Sequence, residues 1–276
     1  MPQVWFVTGS SRGLGRAIAE EALAGGDLLA ATARTPAALD DLVSRHGDRV
    51  RPIGLDVTDP AAVRAAIQGT VDAFGRIDVV VNNAGYADLD PVEDIPDDSF
   101  RAQMETNFFG VYHVTRAALP FLRAQGGGHI VQIATVGTRV STPGLAAYQS
   151  AKWAVEGFSG VLALETAPFG VKVTVIEPGG LRTDWSGSSM AIADIDEPYR
   201  PTVGAMAEQL RAASGKQPGD PAKAARVIRE VTRMDDPPLR LMLGADAYEV
   251  AGAAERARAE SDARHRELAV SIAFDA

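Results

Sequence analysis

The chain contains no cysteine, which excludes disulfides, thiolate metal sites and a cysteine nucleophile. Its four histidines, His46, His113, His129 and His265, stand far apart with no ligand spacing, so no metal centre is expected. Positive charge is also in deficit: 27 Lys and Arg against 36 Asp and Glu leave a net charge of −9. A surface of that sign repels nucleic-acid phosphates and anionic lipid, so neither is an expected partner. No apolar run is long enough to span a bilayer. The opening residues, Met1 to Gly9, lack the basic region and long apolar core of a signal peptide. These absences lead to the expectation of a soluble, cytoplasmic protein.

What remains is ordinary globular composition, 46% hydrophobic and 23% charged over 276 residues. Short apolar runs recur at Val4 to Val7, Leu28 to Ala33, Val50 to Leu55, Val79 to Val81, Ile130 to Ala134 and Val171 to Ile176. Apolar on both faces, they suit parallel strands covered by helices. Thr35-Pro36 and Asp59-Pro60 each set an N-cap before a proline at the first helical position, and Gly75 closes the second of these helices. Strand and helix alternating at this pitch predict an α/β fold: a single Rossmann-type, doubly wound parallel sheet with helices on both faces. No internal repeat or linker divides residues 1–276, which are expected to form one unit.

After Thr183 the pattern changes. Residues 184–221 are rich in glycine, serine and proline, with a short helix expected near Val203 to Ala213. Asp220-Pro221 begins another helix, and Leu239 to Leu243 reads as a last strand. A long irregular stretch beside a sheet reads as a substrate lid, or else as a loop with no role. The tail from Asp246 alternates charge with alanine, as a solvated helix does. Trp5, Trp153 and Trp185 read as packing residues, although Trp185, at the start of the irregular stretch, is also placed to touch substrate.

Three local patterns carry chemistry. The first strand runs into Thr8-Gly9-Ser10-Ser11-Arg12-Gly13-Leu14-Gly15, followed by a helix with Leu14, Ile18 and Ala22 on one face. Glycines at such a turn let backbone N–H groups approach a pyrophosphate seated on the helix N-terminus. The second strand ends in Ala33-Arg34, which offers no carboxylate for an adenosine 2′-hydroxyl. It offers a guanidinium for a 2′-phosphate instead, and Arg12 could add another, so NADP(H) is favoured over NAD(H). Tyr148 and Lys152 are separated by four positions, which places phenol and ammonium on one helix face. A nearby cation favours phenolate, the form that can exchange a proton with a substrate oxygen.

Taken in order, Thr8 to Gly15, Asn82-Asn83-Ala84-Gly85, Asn107, Tyr148 with Lys152, and Pro178-Gly179 with Thr183 resemble the short-chain dehydrogenase/reductase family, from residue 4 to about 183. The resemblance implies that Gly9, Ser11, Arg12, Gly13, Leu14 and Gly15 form the cofactor turn. It implies that Asp56 and Val57 flank the adenine, and that Asn83, Ala84 and Gly85 line the cofactor groove. Pro178, Gly179 and Thr183 would hold the nicotinamide end. Tyr148 becomes the proton donor or acceptor, Lys152 binds the nicotinamide ribose and lowers the phenol pKa, and Asn107 supports a water relay behind the lysine. A homo-oligomer, dimer or tetramer, is implied as well.

One position departs from the family pattern. The family usually carries a serine thirteen residues before the tyrosine, where this chain has Thr135. Threonine keeps a hydroxyl donor and acceptor but adds a methyl group and a stiffer χ1. Either Thr135 fills the serine role, or it only packs and Thr138 or Ser141 supplies the hydroxyl. The expected function is NADP(H)-dependent hydride transfer between nicotinamide and a carbonyl or secondary alcohol. The alternative is a non-catalytic NADP(H)-binding sensor on the same fold. Trp185, Met190, Ile192, Ile195, Tyr199 and Met206 suggest an apolar substrate.

Overall fold

Seven short runs, buried in the central strands and more exposed in the two edge strands, pair into one parallel sheet in a computed structural model that describes residues 2–187 and 189–274. Met1, Ser188 and the last two positions of the tail lie outside the described residues. The strands are β1 (Val4–Val7), β2 (Leu28–Ala33), β3 (Val50–Gly54), β4 (Val79–Asn82), β5 (Gly128–Ile133), β6 (Val171–Pro178) and β7 (Arg240–Leu243). Their order is β3-β2-β1-β4-β5-β6-β7. The chain order therefore reverses between β1 and β4, which opens a crevice at the carboxyl ends of those two strands.

Helices cover both faces. On one face, α1 (Gly13–Ala24), α2 (Asp40–His46) and α8 (Pro221–Val231) bury Ile18, Leu42 and Ile228 against Val7, Leu29 and Val131. On the other, α3 (Pro60–Phe74), α5 (Gly110–Ala124) and α6 (Ala146–Thr166) bury Ile67, Val114 and Leu162 against Phe6, Val80 and Ile130. The helix signals act as their chemistry requires. Asp59 accepts from Ala61 and Ala62 N–H at 2.8 and 3.1 Å, Gly75 ends α3 in the left-handed region, and Asp220 caps α8 through Ala222 N–H at 2.8 Å. Thr35 is different. Its hydroxyl makes no cap bond, and Pro36–Leu39 form a 3₁₀ turn before α2 begins.

Between α4 (Asp97–Met104) and α5 lies a π-helical turn, Glu105–Phe109. In the irregular stretch a second π turn, Arg200–Gly204, precedes α7 (Ala205–Ala213). The tail forms α9 (Ala245–Val270), in which only Ala247 and Ala251 are buried. Trp5 is fully buried, whereas Trp153 is 41% exposed on α6. Trp153 packs at the edge of the fold rather than inside it: its Nε1–H donates to Gly137 O at 3.0 Å and the Arg258 guanidinium lies 5.6 Å from its ring centre. Among the described residues, no helix is long and apolar enough to cross a membrane, and no group of three or more His, Asp or Glu side chains could hold a metal ion.

Candidate active site

Each strand delivers its singled-out residues at its carboxyl end. After β1, Gly9 and Gly13 adopt φ of +68° and +57°, the left-handed region that glycine enters at no steric cost. Arg12 occupies the N-cap of α1 and its side chain bonds none of the first-turn N–H groups, which leaves the helix start free to bind an anion. The turn is stitched to the one after β4. Asn83 Nδ2 donates to Thr8 O at 2.9 Å and Gly9 O at 3.2 Å, while Thr8 Oγ1 accepts from Asn83 and Ala84 N–H at 2.8 and 3.0 Å. A Cβ on Gly15 would collide with Asn83 Nδ2 and Gly9 O. A bare helix start in a glycine-lined crevice fits the pyrophosphate of a dinucleotide.

The remaining groove residues surround this turn. Arg34 is exposed after β2 and makes no hydrogen bond or ion pair to another described residue. Arg12 instead reaches Asp184, with Nη1 at 3.4 Å from Oδ2, both side chains largely exposed. Asp56 is exposed and accepts from Thr58 N–H and Oγ1–H at 2.9 and 2.8 Å; the neighbouring Val57 is buried. Ser11 and Leu14 sit in the turn, Leu14 with its side chain in the core. At the end of β6, Pro178 and then Gly179 lead to Thr183, whose Cβ lies 3.7 Å from where a side chain on Gly13 would begin. The segment after β6 therefore packs against the glycine turn.

The chemistry-bearing side chains meet beside Gly85. Lys152 is 3% exposed, and its Nζ donates to Ile133 O at 2.7 Å while lying 5.8 Å from the Tyr148 ring centre. Burial lowers its pKa to about 8. Tyr148 is 7% exposed; burial pushes its phenol up, and the nearby Thr135 hydroxyl opposes that. Asn107 sits in the π turn, where the extra residue per turn directs it inward. Its Nδ2 donates to Tyr86 O and Gln103 O at 2.9 Å each, and its Oδ1 accepts from Tyr86 N–H at 3.0 Å. A Cβ on Gly85 would lie 2.5 Å from Asn107 Oδ1 and 3.6 Å from Lys152 Nζ, so glycine is required there by close approach.

Of the three candidate hydroxyls, Thr135 is the one beside the phenol. Its Oγ1 accepts from Gly137 N–H at 3.1 Å, which leaves the hydroxyl proton free to point at Tyr148. Thr138 is buried and donates to Thr135 O at 2.8 Å, and Ser141 is exposed. The turn carrying Thr135 is clamped onto α6 from below, by Gln149 Nε2 to Val140 O at 3.1 Å and by the Trp153 bond to Gly137 O. These clamps, like the buried Glu177 held by Arg139 at 3.0 and 3.1 Å, carry no motif that sequence could reveal.

Above the phenol, Trp185 packs its ring centre 5.3 Å from that of Tyr148. It joins an apolar cluster of Leu89, Leu145, Met190, Val203 and Ala207, with Ile192, Ile195, Tyr199 and Met206 at the edge. The irregular stretch is therefore tied to the loop after β4; Leu89 N–H donates to Ala191 O at 2.9 Å.

The short chain dehydrogenase family model matches residues 3–191. Oxidoreductase BOA17 of Botryotinia fuckeliana (strain B05.10) is 54% identical over 274 residues, 99% of this chain and 100% of that protein. The crystal structure of a short-chain dehydrogenase from Streptomyces avermitilis superposes with a TM-score of 0.93 at 39% identity, covering 99% of this chain and 100% of that one. A short chain dehydrogenase from Burkholderia cenocepacia J2315 in complex with NADP matches at TM-score 0.73 and 26% identity, over 95% of this chain and 97% of that one. With that sheet order, that glycine turn and these relatives, the chain belongs to the short-chain dehydrogenase/reductase family of oxidoreductases.

Proposed function

We propose that the protein is an NADP(H)-dependent oxidoreductase that interconverts a carbonyl and a secondary alcohol, with Tyr148 as general acid and base. The observation that carries this reading is the Tyr148 phenol, buried beside Lys152 and close to the Thr135 hydroxyl at the mouth of a glycine-lined crevice. When bound, the cofactor supplies or accepts the hydride. In reduction Tyr148 gives its proton to the substrate oxygen, and Thr135 donates a hydrogen bond to that oxygen. Lys152 holds a ribose hydroxyl and, as a cation, eases loss of the phenol proton. Asn107 fixes the Tyr86 backbone behind the lysine. Residues 184–221 serve as a lid that must lift Trp185 off Tyr148 before an apolar substrate enters, and the protein works as a homo-oligomer. Single-turnover oxidation of bound NADPH by a panel of ketones and aldehydes tests the reading; retained binding with no turnover would favour the sensor.

Arg34 and Arg12 support NADP(H). An exposed ion pair such as Arg12 with Asp184 contributes about 0–1 kcal/mol. A charge-assisted hydrogen bond to a phosphate contributes about 1.5–3 kcal/mol, so a 2′-phosphate draws Arg12 from its partner. Arg34→Asp is expected to weaken NADPH at least about tenfold more than NADH. Titrations of both cofactors at fixed salt check this, and equal losses would remove Arg34 from the phosphate site.

Lys152 is a stability cost retained for chemistry. Its pKa falls from 10.5 to about 8 on folding, so the penalty is full below pH 8 and is relieved as the unfolded chain also loses its proton, up to about 10.5. Lys152→Met is expected to abolish turnover while stabilising the apoprotein at pH 7 by about 1–2 kcal/mol, part of the relief being offset by an unpaired Ile133 carbonyl. Melting should rise by a few degrees at pH 7, with the gain shrinking toward pH 10. A lower melting point at pH 7 would show that the buried amine is well compensated.

A further inference from the structure

The helix α9 lies wholly beyond residues 3–191, the span that the family model matches, yet its first turn reaches the cofactor side of the sheet. β7 pairs with β6 up to Pro178 opposite Leu243, and Gly179 N–H donates to Leu243 O at 2.8 Å. The chain then turns through Gly244 at φ +111°, a conformation open to glycine. That turn brings Asp246 back over the Pro178-Gly179-Gly180 segment. Asp246 Oδ2 accepts from Gly180 N–H at 2.7 Å. A Cβ on Gly179 would collide with both carboxylate oxygens.

These facts explain each other. Two consecutive glycines lose more backbone entropy on being fixed than any other pair, so the segment needs an anchor from outside itself. The anchor is a carboxylate, which makes the hydrogen bond charge-assisted, and its place in the first turn of α9 suits a negative charge. Its approach in turn requires glycine at position 179. The far side of α9 is held as well: Arg139 Nη1 donates to Glu255 Oε1 at 2.6 Å, and the same guanidinium grips Glu177, the residue before Pro178.

We propose that Asp246 is the positioning residue for the nicotinamide end of the cofactor site, holding Gly179 and Gly180 so that Pro178 and Thr183 meet the nicotinamide. This rests on the NADP(H) reading above. The C-terminal helix is then a working part of the site rather than an appendage.

The test compares Kd for NADPH with Kd for 2′-phospho-ADP-ribose, which lacks the nicotinamide. Asp246→Ala is expected to weaken NADPH about tenfold, the worth of one charge-assisted bond, and to leave the fragment within about twofold. Asp246→Asn keeps an oxygen acceptor for Gly180 N–H and should recover most of the loss. Gly179→Ala, which displaces the carboxylate without removing it, should reproduce the selective loss even if Asp246→Ala does not fold. Equal weakening of both ligands, no weakening in any variant, or Asn behaving as Ala would overturn the assignment. A wild-type protein that binds neither NADPH nor the fragment would fail at the cofactor reading itself, before Asp246 is in question.

Discussion

Tyr148→Phe is expected to keep the fold and the NADPH affinity and to lower turnover by about 10²–10⁴, the usual worth of general acid–base catalysis. The ring packs under Trp185 and lines an apolar cluster, and phenylalanine fills the same space. Only the phenol oxygen is lost, and Thr135 keeps its bond from Gly137 N–H. A structural role for Tyr148 therefore predicts little change in turnover, whereas the catalytic role predicts a large one. The pH profile adds a second signature. Burial raises the phenol pKa, so Tyr148 stays protonated through the neutral range, as a proton donor in reduction must. Lys152 loses its charge above about 8, and wild-type reduction should decline as pH rises through that value. In Tyr148→Phe the part of that decline that acts through the phenol is lost, so the inflection in the residual rate should be smaller. Stopped-flow oxidation of bound NADPH across pH 6–10 in both proteins is the measurement, and wild-type rates in the phenylalanine variant would assign the proton to another group.

The sheet was legible because buried parallel strands must be apolar on both faces. Val4 to Val7 and Val79 to Val81 satisfy that, whereas Lys172 and Thr174 give β6 an alternating pattern that also reads as a strand. Strand ends were less so. β6 runs on to Pro178 because β7 pairs alongside it, a long-range partnership that local sequence does not encode. The glycine turn and the Tyr148–Lys152 pair could be found through their spacing, and Asn107 through the family resemblance. The devices that aim them could not: the π turn under Asn107 has no motif, the Gln149 and Trp153 clamps on the Thr135 turn are single side-chain bonds, and Asp246 reaches Gly180 across 66 residues of chain. Trp153 shows the limit of reading by residue type, since a packing role says nothing of its partners, and its half-exposed ring is held by one hydrogen bond and a cation.

Thr135 offers the sharpest test of the departure from the family pattern. If its hydroxyl binds the reacting oxygen, Thr135→Ser should keep or raise kcat/KM, because serine retains the donor and aims it without a γ-methyl group. Thr135→Val nearly preserves shape but removes the hydroxyl. Loss of one donor to a developing oxyanion costs about 2.7–4 kcal/mol, or about 10²–10³ in rate, and a bond to a less charged oxygen costs less, so the lower end of that range or below is expected. Valine also removes the acceptor for Gly137 N–H, a capping loss of about 1 kcal/mol that should show as a melting point a few degrees lower. That loss is too small to account for a hundredfold fall in rate in a protein that remains folded. Packing alone predicts the reverse order, with valine tolerated and serine harmed by a small void. The structure leaves little room for a substitute hydroxyl, since Thr138 is spent on the Thr135 carbonyl and Ser141 is exposed. Measuring kcat/KM and melting temperature for both variants separates the accounts, and near-wild-type turnover in Thr135→Val would sink the catalytic role of this hydroxyl.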